Sequence, residues 1–442
     1  MKPETVRIQF HNLTHTEIAT PSTPDTIPDV NGTFHPLARQ YCHTGDENVR
    51  VTDRGWPAWL AVVGGFINFW AGFGILNSWG TFQAKYPHEP WGDETSLSDI
   101  SWIGSVQPGL LFCLGGLAGF ASDKISAGIL IFIGAGIYLA SYLLVAEYGH
   151  SFAVFLGLQG FLFGLSNTLL YYPAVSVISD WFDRRRGLAL GLIASGSSVG
   201  GIFWPIVIDK LDQVFGMKRA LQGVGLIPLV PLLISSFLVT ERAGHAKITF
   251  RGVLHGKPFG TSPSLGSKES GSLITSLKTT THPTFLGLSA AFFFIYGGYL
   301  VPFNYIPLFA EFNGQGSMGN NLLAICYSGS VVGRIGTGAL ADRFGSFNIL
   351  CIMALLTGTS VLCWTVMRTL PAMIAFAVLY GLFSGGLMPL GSACIARITP
   401  PNEMEHIGFR IGFMMMVCSV SVFGGGPLSG FLLESQDDEM QG

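Results

Sequence analysis

The chain has 442 residues, of which 49% are hydrophobic and only 12% are charged. Soluble domains carry about 25% charged residues, so a water-soluble protein of this size is excluded and many membrane spans are predicted. The formal net charge of −3 at pH 7 favours no nucleic-acid partner. The histidines and cysteines show no metal-ligand spacing and no P-loop occurs, so we predict no metal, no cofactor and no ATP-driven step.

The first element in chain order is a polar segment at 1–56, predicted to be a disordered cytoplasmic tail without a cleavable signal peptide. The apolar segments after it have about 20 or more residues each, enough to cross a hydrocarbon core of about 30 Å. They predict six spans in a first half at 57–239 and five in a second half at 283–433. The eleven predicted spans are 57–83, 100–121, 127–146, 151–179, 187–208, 220–239, 284–310, 320–341, 346–367, 371–396 and 408–433.

A polar segment at 240–282, rich in Gly and Ser, separates the two halves and is predicted to be a flexible linker. It contains six Lys or Arg residues, and the loop after span 4 contains three consecutive arginines, 184–186. The positive-inside rule therefore places the N terminus, the linker and this loop in the cytoplasm. A short acidic tail at 434–442 follows span 11.

Two short motifs lie 219 residues apart: GFASDK (119–124) ends span 2, and GALADRFG (338–345) ends span 8. In each motif the glycine permits close helix contact, and the aspartate is suited to accept from backbone amides at a neighbouring helix N terminus. We predict that the motifs latch the cytoplasmic face in one state; the alternative is an ordinary polar helix end. The predicted latch residues are Gly119, Asp123, Lys124, Gly338, Asp342, Arg343, Arg184, Arg185 and Arg186.

With these motifs the chain resembles the major facilitator superfamily over residues 53–433. WFDRRRGLALGLIASGSSVGG (181–201), DRGWPAWLAVVGGF (53–66) and NSWGTFQAKY (77–86) are similar to signatures of its monocarboxylate-porter branch in the fungal form, although Arg54 and Pro57 stand where glycines are usual. The resemblance implies an all-α polytopic membrane fold of two pseudo-symmetric halves and transport by alternating access. The superfamily has twelve spans, so the chain is expected either to tolerate the loss of the last or to be a truncated version.

Arg334 is the only charge predicted deep in a span, about 12 Å along the helix from Asp342. An intramembrane arginine costs at least ~2.5 kcal/mol on insertion scales, so it should face a cavity and have a partner. We predict a role in solute binding or gating. The alternative is an arginine that snorkels to the cytoplasmic surface or bonds loose carbonyls.

The resemblance implies that the arginine matching Arg334 is a substrate-site residue in animal monocarboxylate porters. In those porters an aspartate stands at the position of Ser330 and a lysine at the position of Asn77. Two of three ionisable groups are therefore missing here, which disfavours proton-coupled uptake of a small acid. A larger solute that is weakly polar or singly anionic fits better.

Polar and aromatic residues inside other spans are the remaining candidates for the solute pathway. In span 7, YGGYLVPFNYIP (296–307) combines them with Gly and Pro residues that permit bending, as a gating helix requires. For each aromatic residue alone, core packing or an interfacial belt is the alternative. The candidates are Asn68, Asn77, Gln107, Asn167, Tyr171, Tyr172, Tyr296, Tyr299, Asn304 and Tyr305.

Several classes of function compete for such a chain. The predicted spans lack the paired carboxylates that acid–base catalysis in a membrane enzyme requires. A receptor or channel does not require two related halves. We predict a non-enzymatic secondary carrier of a small organic metabolite in the cell membrane, with a vacuolar or other internal membrane as the alternative. The lost ionisable pair favours efflux of a secondary metabolite over uptake of a monocarboxylate; an inactive relative is left open. The predicted partners are the solute and the lipid bilayer, and the oligomeric state is left open.

Overall fold

The computed structural model describes residues 55–89, 91, 95, 97–241, 280, 282–299, 301–315 and 318–423. Within these ranges all of the regular secondary structure is helical. Nearly all of the predicted tail at 1–56 and of the predicted linker at 240–282 lies outside the described residues. The same holds for the last ten residues of span 11 and for the acidic tail at 434–442.

Six helical rods, numbered like the predicted spans, form the first half. Their bounds are α1 (Trp56–Lys85), α2 (Leu97–Cys113 and Gly115–Lys124), α3 (Ala127–Tyr148), α4 (Phe152–Trp181), α5 (Arg186–Phe215) and α6 (Met217–Leu238). The two pieces of α2 meet at an angle of 50°. A π-helical turn at Leu156–Leu162 widens α4, and Pro173 lies inside the same rod.

Five rods of the second half follow. Their bounds are α7 (Pro283–Tyr299 and Val301–Phe312), α8 (Gly319–Phe344), α9 (Ser346–Trp364), α10 (Leu370–Ile398) and α11 (Ile407–Phe423). By length and composition, eight helices of the described chain are apolar enough to cross a membrane, or nine if bent α2 counts as one span. The other two are α8, which carries Arg334 and Asp342, and α11, of which the described part is short.

The end of α5 differs from the prediction. The predicted span 5 ends at residue 208, whereas α5 continues to Phe215. The extra turns are polar and are held by α1, because Lys85 Nζ lies 2.9 Å from Asp209 Oδ1 and 2.8 Å from Asp212 Oδ2. Hydropathy detects the apolar length of a helix but not a polar extension that an ion pair stabilises.

The two halves meet along two pairs of helices that contact through glycine. In the first pair, α5 and α8 touch backbone to backbone at Gly187 and Gly338. In the second pair, α2 and α11 touch in the same way at Gly119 and Gly408, and again at Gly115. Small residues permit this approach because no side chain separates the helix backbones. The repeat predicted from the sequence therefore lies at equivalent places in the two halves.

We expect Gly338→Val to destabilise the contact between α5 and α8. A Cβ atom at Gly338 would lie 2.7 Å from the carbonyl carbon of Gly187, which is backbone and has no room to move. Overpacking of this kind typically costs about 1–3 kcal/mol. The thermal midpoint of the purified protein should fall. Gly336→Val on the same helix is the control, because a Cβ there meets open space; equal midpoints for the two variants would contradict the packing argument.

Candidate solute site and cytoplasmic latch

The carboxylate of Asp342 joins the end of α8 to the beginning of α5. It accepts hydrogen bonds from the backbone N–H groups of Gly187 at 2.7 Å and Leu188 at 2.9 Å. The first amides of a helix have no partner within the helix, and the helix dipole favours an anion at this end. The contact therefore links the second half to the first through charge and geometry together.

The carboxylate of Asp123 makes the equivalent contact in the opposite direction. It lies at the end of α2 and accepts from the N–H groups of Gly408 at 3.0 Å and Phe409 at 2.8 Å, the second and third residues of α11. Each half thus contributes one aspartate and one receiving helix. Both contacts lie on the face that the basic loops predict to be cytoplasmic. That these contacts act as a latch stays a prediction.

The basic residues of the predicted latch occupy different environments. Arg186 Nε donates to the carbonyl oxygens of Ser179 at 3.0 Å and Phe182 at 2.7 Å, so this side chain fastens the loop between α4 and α5. Lys124 Nζ lies 5.7 Å from the ring centre of Phe120, within its own half. The remaining members, Arg184, Arg185 and Arg343, are exposed.

The Arg334 side chain is buried between the two halves, with 3% of its surface exposed. Its Nη1 donates to the Ala194 carbonyl oxygen at 2.8 Å and to the Ser197 hydroxyl, both on α5. Its Nε donates to Ser330 Oγ at 3.1 Å, one turn earlier on α8. Snorkelling to the cytoplasmic surface is therefore wrong, whereas bonding to a helix carbonyl does occur.

The hydrogen-bond partners of Arg334 are all uncharged. Ser330, at the position where the resemblance implies an aspartate, is itself bonded to Ser198 of α5 at 3.2 Å. Within the described ranges Arg334 forms no ion pair with a carboxylate. A guanidinium with neutral partners keeps its full charge available to an anionic or electron-rich group that enters the site.

Tyrosines from both halves surround the guanidinium. Tyr299 of α7, Tyr171 of α4 and Tyr327 of α8 all lie close enough to Arg334 to be affected by its charge. The Tyr380 hydroxyl donates to the Tyr299 carbonyl oxygen at 2.7 Å and fixes that part of α7. A cation beside several aromatic rings suits a flat solute with an acidic or carbonyl oxygen.

A chain of aromatic rings continues from this site across the interface. Tyr171 and Tyr172 meet edge to face at 4.9 Å between ring centres, and Tyr172 donates to the Leu111 carbonyl oxygen of α2 at 3.1 Å. Phe112 of α2 packs on Tyr296 of α7 at 5.1 Å. Elements of both halves therefore line one region, as a carrier with a site between its halves requires.

This arrangement agrees with a comparison of the whole sequence against protein families. The sequence model of the Major Facilitator Superfamily matches residues 59–370 and 286–436. The chain belongs to the Major Facilitator Superfamily. The predicted all-α membrane fold and the predicted superfamily are thus confirmed, while the monocarboxylate-porter branch stays a prediction.

Fungal members of the Major Facilitator Superfamily are similar over most of the chain. The MFS-type transporter pynF of Aspergillus niger is 37% identical over 438 residues, which cover 99% of this chain and 92% of that protein. The agnestins efflux protein AgnL12 of Paecilomyces divaricatus is 29% identical over 380 residues, covering 85% of this chain and 80% of that protein. The superfamily transporter FucP, solved in the outward conformation, has a TM-score of 0.59 at 17% identity over 85% of this chain and 92% of its own, which supports the fold alone.

Asn68 does not lie where the solute pathway was predicted. Its Nδ2 donates to the Leu170 carbonyl oxygen at 3.4 Å, and its Oδ1 accepts from Ser235 at 2.7 Å. The side chain therefore joins α1, α4 and α6 inside the first half. Asn68 therefore packs within the first half, because its position on α1 directs the side chain towards α4 and α6.

Asn77 does lie beside the site. Its Nδ2 donates at 3.1 Å to the backbone carbonyl of Ser197, the residue whose hydroxyl binds Arg334, and its own carbonyl accepts from Tyr327 at 3.3 Å. Tyr305 is half-buried in the second part of α7. The Asn304 side chain lies outside the described residues. Gln107 and Asn167 are fully buried.

The sequence analysis missed Arg410, a second buried arginine with 5% of its surface exposed. It pairs with Glu403 at 2.9 Å and donates to Thr399 Oγ1 at 3.0 Å, so it fastens the connection between α10 and α11. Its position in the first turn of span 11 is typical of an ordinary polar helix end. Glu403, seven residues earlier, was the one sequence feature that could have indicated a buried ion pair. The α5 residues that bind Arg334 and Ser330, and Tyr380 of α10, were not predicted to lie at the site. Small and aromatic residues also fill ordinary helix cores, so the sequence does not distinguish them.

Proposed function

We propose that this member of the Major Facilitator Superfamily exports a small organic metabolite by alternating access around a site at Arg334. The observation that carries the proposal is a buried guanidinium between the halves whose bonds go to serines and a helix carbonyl. Tyrosines of α4, α7 and α8 surround it. This chemistry favours a flat solute with an anionic or strongly hydrogen-bonding oxygen, and the efflux role named for the agnestins protein supports the outward direction.

Movement of the halves explains how the latch and the site act together. Asp342 and Arg334 lie on the same helix, and both contact α5. When α5 and α8 separate on the cytoplasmic face, both contacts break and the guanidinium becomes free to meet a solute from the cytoplasm. The chain then needs no chemical step, so the proposed activity is transport without catalysis. The proposed location is the cell membrane, which places the exported solute outside the cell.

Deletion of the gene in the organism that carries it tests the proposal. Metabolites inside the cells and in the medium should be profiled for the parent, the deletion strain and a strain in which the gene is restored. Export predicts a compound that rises in the deleted cells and falls in their medium, with restoration by the gene. A compound that accumulates only in the medium would indicate uptake instead, and unchanged profiles would indicate an inactive relative.

A further inference from the structure

Three polar side chains beside the ring chain are buried without a hydrogen-bond partner among the described residues. Gln107 is 1% exposed and Asn167 is not exposed, and neither the nitrogen nor the oxygen of either amide has a partner. The Tyr296 hydroxyl, on a side chain 4% exposed, has none either. Buried polar atoms are nearly always paired in folded proteins, so these exceptions need an explanation.

The position of Asn167 connects it with the Arg334 site. It precedes Tyr171 by one helical turn, so both side chains lie on the same face of α4. Tyr171 lies close to Ser392 of α10 and Arg334 of α8, so this side of α4 borders the second half. Across from Asn167, α1 has a glycine: a Cβ atom on Gly72 would collide with the Asn167 amide oxygen.

Gln107 and Tyr296 border the same region from two other helices. Gly164 of α4 packs against the backbone carbonyl of Gln107, which sets α2 and α4 side by side at this level. Gln107 lies one turn from Leu111, the residue that accepts the Tyr172 hydroxyl. Tyr296 of α7 packs on Phe112 and lies close to both Tyr171 and Tyr172. The three groups thus surround the ring chain from α2, α4 and α7.

A buried amide of the first half shows what a structural polar residue looks like in this protein. Gln159 of α4 is fully buried, as Gln107 is, and its Nε2 also has no partner, but its Oε1 accepts from the Tyr86 hydroxyl at 2.5 Å. That bond lies within one half and has an evident stabilising role. Neither amide atom of Gln107 or Asn167 makes such a bond. A residue kept polar against its cost in stability is typical of a binding site.

We propose that Gln107, Asn167 and Tyr296 form a second, uncharged subsite that binds a secondary-amide or lactam edge of the solute. The two amides and the hydroxyl present donors and acceptors, and a lactam edge offers one of each. Arg334 holds the acidic or carbonyl end of the same flat molecule, and the tyrosines stack on its body. This inference rests on the proposed function and adds the class of solute to it.

Binding of quinolin-2(1H)-one and its N-methyl derivative to the purified full chain tests the subsite. The two probes share shape and carbonyl group, but only the first has the lactam N–H. We expect wild-type protein to prefer the first by about tenfold in Kd, because the N-methyl group leaves a buried acceptor unpaired. Gln107→Met and Asn167→Leu should each reduce the preference to about twofold or less. A wild-type protein that binds both probes equally, or neither, would overturn the proposal.

Gln159→Met is the matched control, since it makes the same chemical change at a buried amide whose oxygen is bonded within one half. It should keep the probe preference and lower the thermal midpoint, whereas Gln107→Met should keep or raise the midpoint. A clear drop in the midpoint of Gln107→Met would mean that its amide stabilises the fold, and the subsite would be rejected. Because binding needs no export, unchanged profiles of the deletion strain would reject the proposed function while the probe preference tests the subsite separately.

Discussion

Replacing Arg334 by alanine should abolish export while the protein still reaches the membrane. The change removes the buried guanidinium and its bonds to Ala194, Ser197 and Ser330. Hydrogen bonds to a charged group contribute about 1.5–3 kcal/mol each, so losing two of them from a bound solute lowers flux by about a hundredfold or more. The deletion strain carrying the variant should retain the compound that the restored strain exports, at equal amounts of protein in membrane fractions.

Two further variants separate solute binding from stability. Arg334→Lys keeps the charge but loses the planar fork, so an intermediate flux is expected if the guanidinium holds the solute by paired bonds. Arg410→Ala removes the other buried arginine, whose bonds go to Glu403 and Thr399. It should reduce the amount of folded protein more than the flux per molecule. Normal flux through Arg334→Ala would remove this residue from the site.

Most of the helices were predictable because hydropathy specifies them; α8, which carries Arg334 and Asp342, and the described part of α11 are the exceptions. A span of about 20 apolar residues has few alternatives in a bilayer, where every backbone group needs an internal partner. The contacts of Asp123 and Asp342 with helix N termini were also predictable, since they depend on backbone amides that every helix presents. Polar extensions of the helices were not predicted. An example is the end of α5, where an ion pair with Lys85 stabilises the helix in place of apolar burial.

The partners of individual side chains were less predictable, because they depend on how each helix is rotated about its axis. Asn68 and Asn167 look alike in the sequence, each a lone asparagine in an apolar span. The structure bonds Asn68 to α4 and α6 and leaves both amide atoms of Asn167 without a partner. The same limit applies to Arg334, whose partners on α5 lie about 140 residues away along the chain. Periodicity identifies a face but not the neighbour that covers it.

Neutralising either latch aspartate should open the cytoplasmic face. Asp342→Asn keeps the shape of the side chain but removes the charge that the N terminus of α5 favours, an effect of about 0.3–2 kcal/mol before the weaker hydrogen bonds are counted. The ratio of closed to open protein should fall by up to about tenfold. Cysteine at Ala341, which is 3% exposed, should then react faster with an impermeant maleimide applied to the cytoplasmic face. Asp183→Asn, an exposed acid on the same face, should leave the rate unchanged.

The double variant Asp123→Asn with Asp342→Asn tests whether the two contacts belong to one movement. Asp123 binds α11 and Asp342 binds α5, so no partner is shared. If both contacts break in the same opening, their free energies add. The maleimide reaction of the cysteine that replaces Ala341 should then accelerate by the product of the two single-variant effects. If α2 and α11 separate independently of α5 and α8, Asp123→Asn will leave that rate unchanged. A single rigid-body opening of the two halves would then be wrong, because each pair of helices would act as its own gate.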